Sequence, residues 1–452
     1  MRIARLAAGA GVAEVRELSP APPDVERDVR RILDEVRHGG DDAVRKISRR
    51  FAPRGSTPVA RLRVPPAEVA AALAGQPAEV REALEVARSA VGAVARAQLR
   101  EPVVVEGAAG QRVEVAELPV RRAGAYVPGG RAPYPSSVVM CVETGRVAGV
   151  DEVCVAAPPG PDGRAHPSIL AACALCGVDE VYVMGGAQAV GALALGTKEV
   201  PRVDVVVGPG SPWVQEAKRQ LAGVVGVDSF AAGPSELVVL ATEGADAELV
   251  ALDLLAQGEH GADSPLAVLS PDPALLEAVA EAVGRLAPEL PSVADATLAL
   301  VPVADARAGL ALADALAPEH LELVGVEAEA LAPEVRSAGC LFVGRDGATA
   351  FGDYVALEPR APHGRRGALG QRARAGHLPA PDGSRVAPAG RRRPPRAGRR
   401  GAGPGRGLPG AWALDGAPRL TGSGPRRSAV PDRVARVTLG PSGVLNVSLG
   451  AA

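Results

Sequence analysis

Aromatic side chains make up only 2% of this 452-residue chain, so its 47% apolar content rests largely on alanine and valine. Lysine is nearly absent and arginine does its work, a bias that fits a GC-rich coding sequence rather than a function. No uninterrupted apolar run approaches the ~20 residues of a membrane span, which argues against an integral membrane protein. The basic start Met1-Arg2-Ile3-Ala4-Arg5 leads into no apolar core with a cleavage site, so a cytoplasmic location is expected. Five cysteines, at 141, 154, 173, 176 and 340, argue against a disulfide framework. Cys173 and Cys176 belong to an apolar run beginning at Ile169, where buried thiols are expected rather than a redox or zinc pair.

What is present is organised in blocks. The length calls for two or more domains with sizeable cores. Residues 1–101 read as an N-terminal helical arm. Val25, Val29, Ile32, Leu33 and Val36 form an apolar stripe, and Pro66 and Pro77 sit at helix starts. From residue 102 short strands appear at Val103–Val105 and Val113–Val115, then a Gly- and Pro-rich loop from Gly124 to Ser137. Residues 102–229 then follow a βαβ rhythm, with strands at Glu152–Ala157, Glu180–Met184 and Val203–Val207. Continuous apolar strands alternating with helices indicate parallel sheets covered on both faces. Glycines end two of these strands, at Gly185-Gly186 and Gly208-Pro209-Gly210, where such sheets bind ligands. Neither junction is a GxGxxG fingerprint, so any nucleotide site departs from the usual Rossmann pattern. Residues 230–356 repeat the rhythm, giving an α/β class with two incomplete Rossmann-like units.

Two of the six histidines stand beside glutamates at the edges of apolar segments, in Gln257-Gly258-Glu259-His260 and Pro318-Glu319-His320. If the first segment stays helical, Gln257 and His260 share a face and can converge on a divalent metal. A Gln/His pair at that spacing is more often surface or satisfied core. Asp353, behind Gly352, is a third candidate ligand, giving an N/O set that suits zinc or manganese and is one ligand short. Glu319 and His320 offer a base and its partner.

Together these segments resemble the histidinol dehydrogenase family. The matches run in order: Tyr126 to Ser137, Gly185 to Ala189, Gly208 to Gly210, Ala217 to Arg219, Ala232 to Glu236, Gln257 to Gly261, Ala317 to Leu323 and Gly352 to Tyr354. The resemblance covers about residues 10–356. It implies oxidation of L-histidinol to L-histidine through histidinal with two NAD molecules, one zinc per site, and a homodimer whose C-terminal segments complete the partner's site. Gln257, His260 and Asp353 match zinc ligands that also hold substrate. Glu319 and His320 match the acid/base pair, His320 also touching substrate, and Ser235 matches a further substrate contact. Tyr126 and Gln188 match NAD contacts, and Ser211 stands where the family has an asparagine at the same site.

The resemblance breaks at Leu357. The family continues with Asn-His-Val-Leu-Pro-Thr, whereas this chain reads Leu357-Glu358-Pro359-Arg360-Ala361-Pro362-His363. One set of codons for those residues, CTC GAA CCA CGT GCT CCC CAC, reads one base later as Ser-Asn-His-Val-Leu-Pro followed by the start of a threonine codon. Residues 357–452 are therefore read as an out-of-frame tail, expected to be disordered. Within 361–430 it holds 15 Arg, no Lys and two acidic residues, a net +13 that leaves −15 on the remainder. Such charge raises the alternative of nucleic-acid binding, but Trp412 is its lone aromatic, which disfavours base stacking. The family's remaining zinc-binding histidine and substrate glutamate have no counterpart in the tail. Low activity of the literal chain, or a catalytically dead relative, is the expected consequence.

Overall fold

Strands and helices alternate along the chain as its valine-rich runs and Ala/Leu-rich stretches dictate. The computed structural model describes residues 1–20, 23–108, 110–129, 133–228, 235–261, 264–354, 434–439 and 445–450. The N-terminal part forms β1 (Arg2–Arg5), α1 (Val12–Arg16), α2 (Glu26–Phe51), α3 (Pro66–Ala72) and α4 (Ala78–Gln98), then β2 (Val103–Glu106) and β3 (Arg112–Glu117). The first βα run is β4 (Arg122–Tyr126), α5 (Pro135–Val147), β5 (Glu152–Ala157), α6 (Pro167–Leu175), β6 (Val181–Val183), α7 (Gly186–Leu195), β7 (Val205–Val207), α8 (Pro212–Leu221) and β8 (Gly226–Val227). The second opens with β9 (Leu237–Ala241), α9 (Ala247–Gly258), β10 (Pro265–Ser270), α10 (Pro273–Leu286) and β11 (Thr297–Pro302). It closes with α11 (Ala306–Leu316), β12 (His320–Val324), α12 (Val326–Ala330), β13 (Cys340–Val343) and α13 (Ala350–Tyr354). Beyond it lie β14 (Val434–Leu439) and β15 (Leu445–Gly450).

Both large sheets are wholly parallel. One has the order β6-β5-β4-β7-β8 and the other β1-β11-β10-β9-β12-β13. Each is covered on both faces, the first by α2, α7 and α8 against α3 to α6, the second by α9 and α10 against α1, α11 and α12. This is the two-fold Rossmann-like α/β architecture expected of strands that are apolar throughout.

Three local expectations change. The N-terminal stretch is not helical throughout, because Arg2–Arg5 adds a parallel edge strand beside β11 of the second sheet. The loop expected from Gly124 begins three residues late, because Arg122–Tyr126 is a buried central strand. A Cβ at Gly124 would stand 3.1 Å from Leu193 and 3.2 Å from Val203, so this strand is small-residue because α7 presses on it. The tail expected to be structureless contributes β14 and β15 to a small sheet of order β15-β14-β3-β2. Alternation explains it: Val437 and Leu439 fall two apart, as do Leu445, Val447 and Leu449, with Pro441 and Gly443 between the runs. Most of that tail, including His363 and His377, lies outside the described residues.

Candidate active site

The first group of candidates gathers at the carboxyl end of the first sheet. There the strand order reverses between β4, which leads to β5, and β7, which leads to β8; that crevice is where such sheets take ligands. Tyr126 is the last residue of β4 and only 5% exposed. Its hydroxyl accepts a hydrogen bond from Gly186 N–H at 3.1 Å, tying the strand to the first turn of α7. Burial pushes the Tyr126 phenol up and the Gly186 bond opposes it, so the ring stays neutral. Gln188 sits buried in that same turn, and its amide reaches Ser48 Oγ of α2 at 3.5 Å. Ser211 caps α8 by position, but its side chain makes no cap bond and is exposed. The structure thus brings Tyr126, Gln188 and Ser211 to one crevice.

The second group lies at the opposite, amino end of the second sheet. His320 is the first residue of β12, between β9 and β13, and only 4% exposed. The Glu236 carbonyl accepts from the His320 backbone N–H at 3.0 Å and lies 3.0 Å from Nδ1. A carbonyl can only accept, so Nδ1 carries a proton. Glu319 Oε2 stands 3.7 Å from Nδ1, and the Phe342 ring packs 5.9 Å away between centroids.

Two residues that sequence reasoning assigned no role join this group. The Glu236 carboxyl is buried, accepts from the Glu319 backbone N–H and faces Arg16 of α1 at 3.7 Å. Burial pushes it up to about 7; Arg16 pulls it back and Glu319 adds to the rise. Arg16 is itself anchored on the Leu316 carbonyl at 2.6 Å. The signal for Glu236 was present: it is the carboxylate closing the Ala232–Glu236 match, directly before an apolar strand. Ser235, next to it, is half-buried.

The proposed metal ligands divide differently. Gln257 is in the last turn of α9, 3% exposed, and its Nε2 has no hydrogen-bond partner among the described residues. The helix ends at Gly258, so His260 lies in the turn beyond, exposed, its N–H on the Gln257 carbonyl at 3.2 Å. The shared helical face expected of this pair is therefore absent. Glycine is a poor helix former, and the chain tightens into an i→i+3 turn there. Asp353 is in α13, which packs on α9 and also on α5 of the first unit; its side chain lies outside the described residues. Asp253, one turn before Gln257, accepts from both Thr349 N–H and Thr349 Oγ1, at 2.9 and 3.0 Å, holding the approach to α13. Among the described residues no three His, Cys, Asp or Glu side chains gather to hold a metal. Gln257 is buried, and its amide oxygen is the atom of this side chain that could serve a cation.

The carboxyl-end crevice of the second sheet, between β9 and β12, is filled. A Cβ on Gly325 would stand 2.6 Å from the Thr242 carbonyl, and Thr242 Oγ1 and the Glu329 carboxylate already hold the N–H groups of Ala328 and Gly325.

The histidinol dehydrogenase family model matches residues 16–358, ending where the sequence departs from the family pattern. A histidinol dehydrogenase of Thermobifida fusca is 43% identical over 337 residues, covering 73% of this chain and 76% of that protein. One from Pseudomonas aeruginosa is 40% identical over 366 residues, covering 76% and 83%. The crystal structure of histidinol dehydrogenase from Elizabethkingia anophelis superposes with a TM-score of 0.71 at 28% identity, over 79% of this chain and 84% of that one.

Proposed function

Because the chain belongs to the histidinol dehydrogenase family, we propose that it oxidises L-histidinol to L-histidine through histidinal, using two NAD molecules in turn. The observation that supports the residue assignment is the buried His320 ring, its Nδ1 3.0 Å from the Glu236 carbonyl and 3.7 Å from Glu319 Oε2.

Each oxidation removes a hydride from carbon and a proton from oxygen. Hydride transfer is the cofactor's chemistry; the protein supplies position and proton acceptors. His320 Nε2 takes the carbinol proton in the first step. The second step needs water on the aldehyde, and Glu319 or His320 takes its proton before the second hydride leaves. Glu236 and Arg16 keep this pair buried and oriented. Ser235 and His320 contact the substrate, and Tyr126, Gln188 and Ser211 line the NAD crevice. Zinc would be held by Gln257, His260 and Asp353 with a further ligand from the C-terminal segment, and would anchor the amino alcohol and imidazole of the substrate.

The division proposed for the chain is 1–101, 102–229, 230–356 and the tail 357–452, acting as a cytoplasmic homodimer without a nucleic-acid or membrane partner. Exposed Leu252 and Phe351 on α9 and α13 support a protein neighbour over this face. No helix among the described residues is long and apolar enough to cross a membrane.

The test is histidinol-dependent NADH formation at 340 nm with added zinc. The chain as written is expected to turn over poorly, and a version with the reading frame shifted by one base after Ala356 to turn over normally. Equal turnover by the two would overturn the role given to the C-terminal segment. No turnover by either would overturn the reaction itself.

A further inference from the structure

Lysine is rare in this chain, present at 46, 198 and 218 only, yet Lys218 is fully buried. It lies on the inner face of α8, and its ammonium donates to the Gly208 carbonyl at 2.5 Å and to Asp228 Oδ1 at 2.6 Å. Asp228 Oδ2 accepts from Gly208 N–H at 2.7 Å. One residue is therefore gripped at both its backbone groups by the two halves of a buried ion pair. Gly208 needs that grip. Its φ is +112°, and a Cβ there would stand 2.0 Å from the Tyr126 carbonyl, so the chain is pressed against the end of β4 in a conformation only glycine adopts readily.

We infer that Lys218 and Asp228 are positioning residues for dinucleotide binding: they fix the Gly208-Pro209-Gly210 turn, and through it Ser211, at the crevice between β4 and β7. Neither side chain touches the ligand. The pair reaches across three elements, α8, the loop after β7 and the end of β8, so it sets where the first turn of α8 sits relative to Tyr126. Burial of an ion pair is a poor way to gain stability, since apolar residues of similar volume often serve as well. Its value here is geometric. A compact ammonium also suits the space, where the planar fork of the arginine this chain otherwise prefers would not.

This inference rests on the NAD-binding reading of the first sheet. The experiment measures NADH binding to the full chain by energy transfer from tryptophan, Trp213 being in the first turn of α8. Wild-type protein is expected to bind; no binding would overturn both that reading and this inference. Lys218→Met/Asp228→Leu removes both charges together and so leaves neither orphaned. It is expected to weaken NADH binding at least tenfold with a melting temperature within a few degrees of wild type. Asp228→Asn keeps the size and an acceptor for Gly208, and is expected to lose only a few-fold. Wild-type affinity in a folded double variant would overturn the inference. So would parallel loss of stability and affinity in both variants, which would mark the pair as a general core strut.

Discussion

Replacing Glu322 by glutamine should stabilise the protein at neutral pH, and the gain should vanish in acid. Glu322 follows His320 by two residues on the same face of β12 and is 4% exposed. One carboxyl oxygen, Oε2, has no hydrogen-bond partner among the described residues. Burial, followed by the nearby Asp253 carboxylate, pushes its pKa from 4.5 to about 9. The folded protein thus keeps a proton that the unfolded chain has released at any pH between those values. Stability therefore falls as pH rises through that window and is unaffected by this group below it. Each pH unit costs about 1.4 kcal/mol, so the burden at pH 7 is about 3 kcal/mol. Glutamine matches the neutral acid in size and does not titrate. Glu322→Gln should raise the melting temperature by roughly 5 °C or more at pH 7.5 and leave it nearly unchanged at pH 5. Thermal denaturation of both proteins across that range reads the difference. A variant less stable than wild type at every pH would refute the reasoning, because it would mean the carboxylate is ionised and paired.

Arg122→Met should cost roughly 3–5 kcal/mol in urea denaturation, since it leaves Glu180 half-buried without the guanidinium that bonds it through both nitrogens. Gly325→Ala should lose roughly 3 kcal/mol, because φ is +98° and the new methyl would sit within 2.8 Å of three oxygens of Thr242 and Glu243. Thiol labelling of the native protein at pH 8 should modify Cys141 and Cys340 first. Cys154 and Cys176 are buried and pushed up to about 12, and Cys173 is raised further, so they should react only on unfolding.

Much of the fold was legible because parallel strands here are unbroken apolar runs. Leu237–Ala241 and Glu152–Ala157 could be read almost to the residue. Arg122–Tyr126 could not, because a strand of small residues next to a Gly/Pro-rich loop carries no apolar signal; its shape answers to α7, which is 60 residues away in the chain. The same holds for the site. Glu319 and His320 were visible as an adjacent acid and imidazole at a strand start. Arg16 was not, since it lies 300 residues from the Leu316 carbonyl that holds it and 220 from Glu236. The expected helical pairing of Gln257 with His260 failed on a single glycine, whose effect on helix length depends on packing that spacing does not encode.

Apart from the added edge strand β1, the two sheets share one strand order, yet the candidate residues gather at opposite ends of them. Where the first order reverses, Lys218 and Asp228 hold the carbonyl and the N–H of Gly208 in a glycine turn that leads to the exposed Ser211. Where the second reverses, Glu329 and Thr242 likewise hold the N–H groups of Gly325 and Ala328. The amino end of the second sheet, with Glu236, Glu319 and His320 at the starts of two adjacent strands, is buried enough to lift a carboxyl toward neutrality. A proton acceptor that works near pH 7 needs that environment, and α13 links it to the first unit by packing on both α5 and α9. The proposed reaction divides between the two units, the first holding the hydride acceptor and the second moving protons.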